Sequence, residues 1–245
     1  MSGTELECAP LASLPPARLR AMLAAAGDVG ECERVLRKGG LNIVGEVLRG
    51  QGTFYEYDHY PADDVYDSDT GAQYYYHAHR GLTGEHGHFH TFLRAPGSGA
   101  VPSLLPRGGG SPGCSAEDRA VHLIGISMNA EGWPIGLFAT NHWVTGGLWR
   151  SAAETLRMLP RFRIDHAYPS WPVNHWIGAM MILFRPQIEA LLRHRDAVIA
   201  AHGRKYPERN SLEDRELEVT GYIPINVDAW ITEMKAQSGA LREAG

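Results

Sequence analysis

The spacing of apolar residues changes several times along this chain, and each change marks an element. From residue 14 to 38 it is helical, with Leu19, Met22 and Leu23 on one face. Pro15 and Pro16 suit a helix start. Asp28 and Glu31 form a capping-box pattern ahead of Val35 and Leu36, so the pattern predicts two short helices, stopped by Gly39-Gly40. Phe54 to Tyr60 alternates aromatic and polar residues for part of its length and reads as a strand. Pro61 to Thr70 is acidic and turn-rich; its Asp63, Asp64, Asp67 and Asp69 miss the EF-hand spacing, and a solvated loop is expected.

Residues 73–79 and 86–93 return to period two, with histidines and aromatic residues alternating, and predict adjacent antiparallel strands. Residues 95–119 are rich in Pro, Gly and Ser and are expected to be a lid or a disordered insertion. Val121 to Met128 and Ile135 to Trp143 form a second hairpin around Asn129-Ala130-Glu131-Gly132, apolar enough for central strands. Ser151 to Glu154 is a capping box opening a helix through Leu159. Pro186 starts another, carrying Ile188, Leu191, Leu192 and Ile199, with Gly203 beyond its end. Tyr222 to Ile225 and a helix from Val227 to Lys235 close the chain. Helices, then hairpins, then helices predict an α+β fold within one domain, residues 1–245. It has a central antiparallel sheet, or a partly closed barrel of hairpins, flanked by N-terminal and C-terminal helices.

The first hairpin also carries the chemistry. Residues 77–90 hold five of the twelve histidines: His77, His79, His86, His88 and His90. Imidazole suits Zn, Cu, Fe or Ni at neutral pH. Register decides which of these share a face, because a slip of one residue moves every side chain across the sheet. If Arg80 pairs with Glu85 around a four-residue turn at Gly81 to Gly84, all five converge, and Tyr74, Tyr76, Ala78, Gly87, Phe89 and Leu93 form an apolar opposite face. Pairing His79 with Glu85 instead would group His77, His79 and Glu85 and send His86, His88 and His90 across. The first register is preferred because it leaves one clean apolar face. Histidines this close repel if protonated together, so a bound cation or lowered pKa values should keep them neutral.

Bulk properties narrow the partners. A length of 245 residues allows a sizeable core, and 44% hydrophobic with 21% charged residues is ordinary for a globular protein. A net charge of −5 gives no basic footprint for nucleic acid. The first residues lack the charged and apolar regions of a signal peptide. The longest apolar run, Trp176 to Phe184, suits a buried helix and is too short for a membrane span. Cys8, Cys32 and Cys114 are odd in number without C-x-x-C spacing, which predicts reduced thiols in the cytoplasm. The expected partner is a small-molecule substrate, with no nucleic acid and no membrane; a homo-oligomer is left open.

Other candidates lie outside the hairpin. The tripeptide Asn-His-Trp occurs at 141–143 and 174–176, so His142 and His175 are candidate substrate contacts, as is Tyr75 on the histidine face. Asp165-His166 are adjacent and point apart on a strand, and no Gly-x-Ser-x-Gly elbow supports a hydrolase triad. The segments His77-Ala78-His79-Arg80, Glu85-His86-Gly87-His88-Phe89-His90 and Leu137 to Gly146 resemble the core of an uncharacterised bacterial domain family without known activity, over about residues 50–235. Gly71, five residues, then His77-Ala78-His79 also resembles the opening of the cupin metal motif. The pattern departs from it afterwards: Glu85 lies too far from His79, and Phe92 stands where the motif has glycine.

These features favour a metal-dependent enzyme of small-molecule metabolism. Iron or copper oxidation chemistry is expected ahead of a structural zinc site, because the chain has imidazoles in place of thiolates. Glu85 would serve as ligand or general base, and five histidines allow two ions. The alternatives are a non-catalytic zinc or copper store and a metal-free binder of a polar ligand. Enclosure of the cluster in a cavity beside Trp143 or Trp176 would favour catalysis, and an open sheet face storage.

Overall fold

Leu19, Met22, Ala26, Val29 and Leu36 fall at three-, four- and seven-residue intervals, and their buried stripe holds one unbroken helix, α1 (Pro16–Lys38). Two shorter helices were expected here. The Asp28–Glu31 signal is overridden because the stripe runs through it and both Gly27 and Gly30 sit on the exposed side. The structure, a computed structural model, describes residues 6, 8–79, 84–94 and 120–243. The expected turn at Gly81 to Gly84 (except Gly84) and the 95–119 segment lie outside them.

After α1 come α2 (Ile43–Leu48), β1 (Tyr60–Tyr66), β2 (Ala72–His77), β3 (Gly87–Leu93), β4 (Val121–Met128), β5 (Pro134–Thr140), α3 (His142–Thr145), α4 (Ala152–Met158), α5 (Trp171–Leu183), α6 (Arg185–Lys205), β6 (Val219–Pro224) and α7 (Val227–Glu243). The six strands form one antiparallel sheet in sequence order, open, with β1 and β6 at its edges. The fold is α+β with flanking helices, and the barrel alternative is set aside.

Two boundaries differ from expectation. Phe54 to His59 is not a strand; β1 begins at Tyr60 and takes in Pro61 to Tyr66 of the acidic segment expected as a loop, and Asp67 to Thr70 form the turn after it. Pro61 is tolerated because β1 is an edge strand. A break in the β1–β2 register between Tyr60 and Val65 places Asp64 at φ 56° and turns its carboxylate inward. In the second hairpin, β5 stops at Thr140 and Asn141 caps α3, so Trp143 is helical. Ser151 and Glu154 do form the expected capping box of α4.

Each central strand divides its side chains between two environments. Tyr74, Tyr76, Phe89, Ile126 and Leu137 join the apolar core with residues of α1, α5 and α6. Phe89 meets Tyr74 and Tyr76 edge-on at 5.7 and 5.0 Å, and Trp176 of α5 at 6.3 Å. Burying each such side chain contributes about 1.5–3 kcal/mol. Tyr74 Oη donates to Asn174 Oδ1 at 2.6 Å, satisfying the one polar atom its burial would strand. Gln73, Tyr75, His77, His88, His90, Phe92 and His122 occupy the opposite face, also buried. No helix of the described residues is long and apolar enough to cross a membrane.

Candidate metal centre

β2 and β3 pair with His77 opposite His88, Tyr76 opposite Phe89 and Tyr75 opposite His90. This is the register in which the hairpin histidines converge. The ring centroids of His77, His88 and His90 lie 4.5, 5.1 and 4.9 Å apart. All three are buried, and one nitrogen from each can be chosen so that all lie within 4.8 Å of one another; the group could hold a metal ion. His79 stands beside them, 4.7 Å from His77 and 5.1 Å from His88.

The rings are held in orientation from behind. A carboxylate only accepts hydrogen bonds, so His88 must donate its Nδ1 proton to Glu85 Oε1 at 2.8 Å, which puts the lone pair on Nε2. The two side chains are 0% and 1% exposed. His90 Nδ1 lies 2.9 Å from Nε2 of His122, a β4 residue whose Nδ1 lies 3.4 Å from Thr140 Oγ1. Burial, helped by the positive charge of Arg195, lowers the His122 pKa to about 3, so this ring is neutral near pH 7 and able to accept from His90. Such support behind metal-binding histidines fixes tautomer and ring plane.

A further pair completes this face. His59 Nδ1 donates to Asp64 Oδ1 at 2.9 Å, Asp64 Oδ2 accepts from Gln73 Nε2 at 2.7 Å, and Gln73 Oε1 accepts from Arg94 Nε at 2.7 Å. His59 stacks on Tyr75 at 3.5 Å and meets His77 edge-on at 5.6 Å. Gly125 gives the floor its shape. A Cβ there would lie 2.0 Å from the Phe138 ring, so only glycine lets that ring lie across β4 against His88 and His90, at 5.2 and 5.6 Å.

The structure therefore brings together His77, His79, His88, His90, Glu85 and Tyr75. It does not bring His86, which was expected on the same face. His86 precedes the first residue of β3 and turns to the other side, 2.7 Å from Tyr76 Oη and stacked at 5.6 Å on Phe54. Gly87 permits this, since a Cβ there would fall 2.5 Å from the Tyr76 hydroxyl. Glu85 stands on His88. His142 is at the start of α3, bonded to Glu213 at 2.7 Å and Gly147 O at 3.2 Å. His175 is on α5, the core side of the sheet, stacked on Trp171 at 4.9 Å and 3.6 Å from Asp28. Trp143 and Trp176 are elsewhere as well, donating to Leu217 O and Glu33.

His59, Asp64 and His122 were missed. His59 lies in a segment whose aromatic residues suggested a strand, and His122 is the single imidazole of a continuous apolar run. One signal was available: His122 is the only histidine between Val121 and Met128, in the strand expected to be central.

An open antiparallel sheet with helices on one face and an all-imidazole cluster on the other defines a protein built around buried histidines. The chain belongs to the family described as a domain of unknown function, DUF6969, which matches residues 23–225 and so spans the whole cluster. No curated protein and no solved structure matches it.

Proposed function

We propose that the chain is a metal-dependent enzyme acting on a small molecule, with a transition ion held by His77, His88 and His90. The observation that carries this reading is the grouping of three buried ligand nitrogens within 4.8 Å, together with the carboxylate that holds His88 from behind. Three protein nitrogens leave positions for water or substrate, as catalytic sites require. An all-imidazole donor set without thiolate suits iron or copper, and oxidative chemistry is our reading of its use. Glu85 acts through His88 as a positioning residue, and Tyr75 and His79 border the ion.

Metal analysis of untagged protein tests this. We expect close to one equivalent of a transition metal. Less than roughly a tenth of an equivalent, with none taken up on reconstitution, would sink the reading. Trp143 and Trp176 donate elsewhere, to Leu217 O and Glu33, and do not wall the cluster, which favours a second reading, a store without turnover. A store would take up several ions per chain, and one tightly bound equivalent speaks against it.

A further inference from the structure

The triad leaves one imidazole of this face without a task. The His59 side chain is 7% exposed, and its Nε2 is buried with no hydrogen-bond partner among the described residues. A chain of committed groups fixes the ring from behind. Arg94 Nε donates to Gln73 Oε1, which turns the Gln73 amide nitrogen to Asp64 Oδ2 and leaves Oδ1 to accept from His59 Nδ1. A carboxylate only accepts, so a neutral His59 carries its lone pair on Nε2. Stacking on Tyr75 at 3.5 Å holds the ring plane as well. A buried acceptor without a donor costs free energy that a carbon in its place would not.

Distance decides what this lone pair can serve. The triad rings lie 4.5, 5.1 and 4.9 Å apart, whereas His59 meets only His77 of the three, edge-on at 5.6 Å. It is not part of the group whose nitrogens lie mutually within 4.8 Å. A ligand nitrogen stands about 2 Å from its ion, and an acceptor reached through an atom bound to the ion stands about 4–5 Å away. His59 fits the outer position. On the other flank, Ser127 pairs with His88 across β3 and β4, which puts its side chain on the histidine face. Its Oγ is also buried without a hydrogen-bond partner among the described residues. A polar atom is therefore uncommitted on each side of the triad.

We propose that His59 accepts a hydrogen bond from the exogenous ligand of the triad's ion, and so selects a ligand with a proton on its bound atom, either water or a substrate hydroxyl. This rests on the metal reading and narrows its substrate class to hydroxyl compounds, against anions that only accept. Asp64 is then a positioning residue, setting the tautomer that makes His59 an acceptor.

Fluoride is the probe, because it is close to water in size and cannot donate. The full chain loaded with cobalt(II) is titrated with sodium fluoride at about pH 8, where an ordinary imidazole is neutral, and the cobalt absorbance is read. His59→Phe keeps a ring on Tyr75 and removes the lone pair, so fluoride should bind about tenfold tighter than in wild type, the effect of one hydrogen bond. Asp64→Asn leaves His59 in place, and Asn tolerates the φ of 56° found there. With Gln73 Nε2 facing the Asn oxygen, the new amide donates to His59 Nδ1, which moves the ring proton to Nε2 and makes it a donor. Fluoride should tighten at least as much, a direction that a purely structural role would not give. Should His59→Phe not fold by circular dichroism, Asp64→Asn decides. Unchanged or weaker fluoride binding in the folded variants overturns the proposal. So does a loss of cobalt(II) affinity in His59→Phe as large as in His88→Ala, which would make His59 a ligand. Failure of wild type to bind cobalt(II) overturns the metal reading and this proposal together, an outcome distinct from bound cobalt with unaltered fluoride affinity.

Discussion

Tyr57 and Asp64 are the two non-glycine residues at positive φ among the described residues, at 70° and 56°, and both touch the histidine face. Tyr57 stacks 5.5 Å from His79, and Asp64 holds His59. Backbone strain of this kind costs about 1–3 kcal/mol per residue and persists where the surroundings demand it. Here it delivers a ring from the turn ahead of β1, and a carboxylate from that edge strand, to the neighbouring imidazoles. Glu85 does the equivalent for His88 from the other end of the hairpin. If that carboxylate orients a ligand, Glu85→Ala should weaken cobalt(II) binding about 10–100-fold, while His86→Ala, on the core side, changes it less than about twofold. Absorbance titration with cobalt(II) reads both, and an equal loss in the two variants would return His86 to the site.

Among the elements, α1 has reserve stability. A Cβ at Gly27 or Gly30 meets nothing within 4 Å, and both glycines lie mid-helix on the exposed side. Gly30→Ala should therefore stabilise the protein by about 0.5–1 kcal/mol, seen as a thermal midpoint higher by roughly 2–4 °C. A midpoint that falls would show that the glycine is needed for an approach not apparent in the helix. The same helix shows what the sequence discloses well and badly. Its periodicity was plain, and so was the strand periodicity of β2 and β3, because histidine and aromatic residues alternate on both and one face is wholly apolar. Its continuity was not, since a local capping pattern cannot report the tertiary stripe that overrides it. β1 was hidden for the complementary reason: its Asp63 and Asp64 carry turn chemistry, and only pairing with β2 makes them strand residues. The hairpin's share of the histidine face was therefore visible before folding. His59, Asp64 and His122 join it through contacts that no local spacing encodes.

For the whole molecule, Asp67 links layers that the sequence holds far apart. Its carboxylate accepts from Asp69 N and Thr70 N, each at 3.0 Å, and from Asp165 N at 2.8 Å, tying the β1–β2 connection to the segment ahead of α5. Burial works to raise its pKa, but the backbone donors from Asp165, Thr70 and Asp69 outweigh it and hold the carboxyl below the usual range. A depressed carboxyl adds stability above its unfolded pKa of about 3.9, and that stability is lost as pH falls through the folded value. Asp67→Asn should thus be less stable than wild type at pH 7 by about 1–3 kcal/mol, with the gap narrowing as the medium is acidified below about pH 4. Urea unfolding at stepped pH measures it, and a gap that stays constant would remove Asp67 from the acid response.

The burial of the histidine face has a consequence in time. β3 is hydrogen-bonded on both sides, to β2 and β4, and His88 and His90 point into the protein from its middle. For an ion on these nitrogens the slow step of release would be the parting of the buried groups around it, not the appetite of whatever competes for it. Beyond a modest concentration, a stronger or more abundant chelator would strip the protein no faster, and the plateau rate would be that of this local opening.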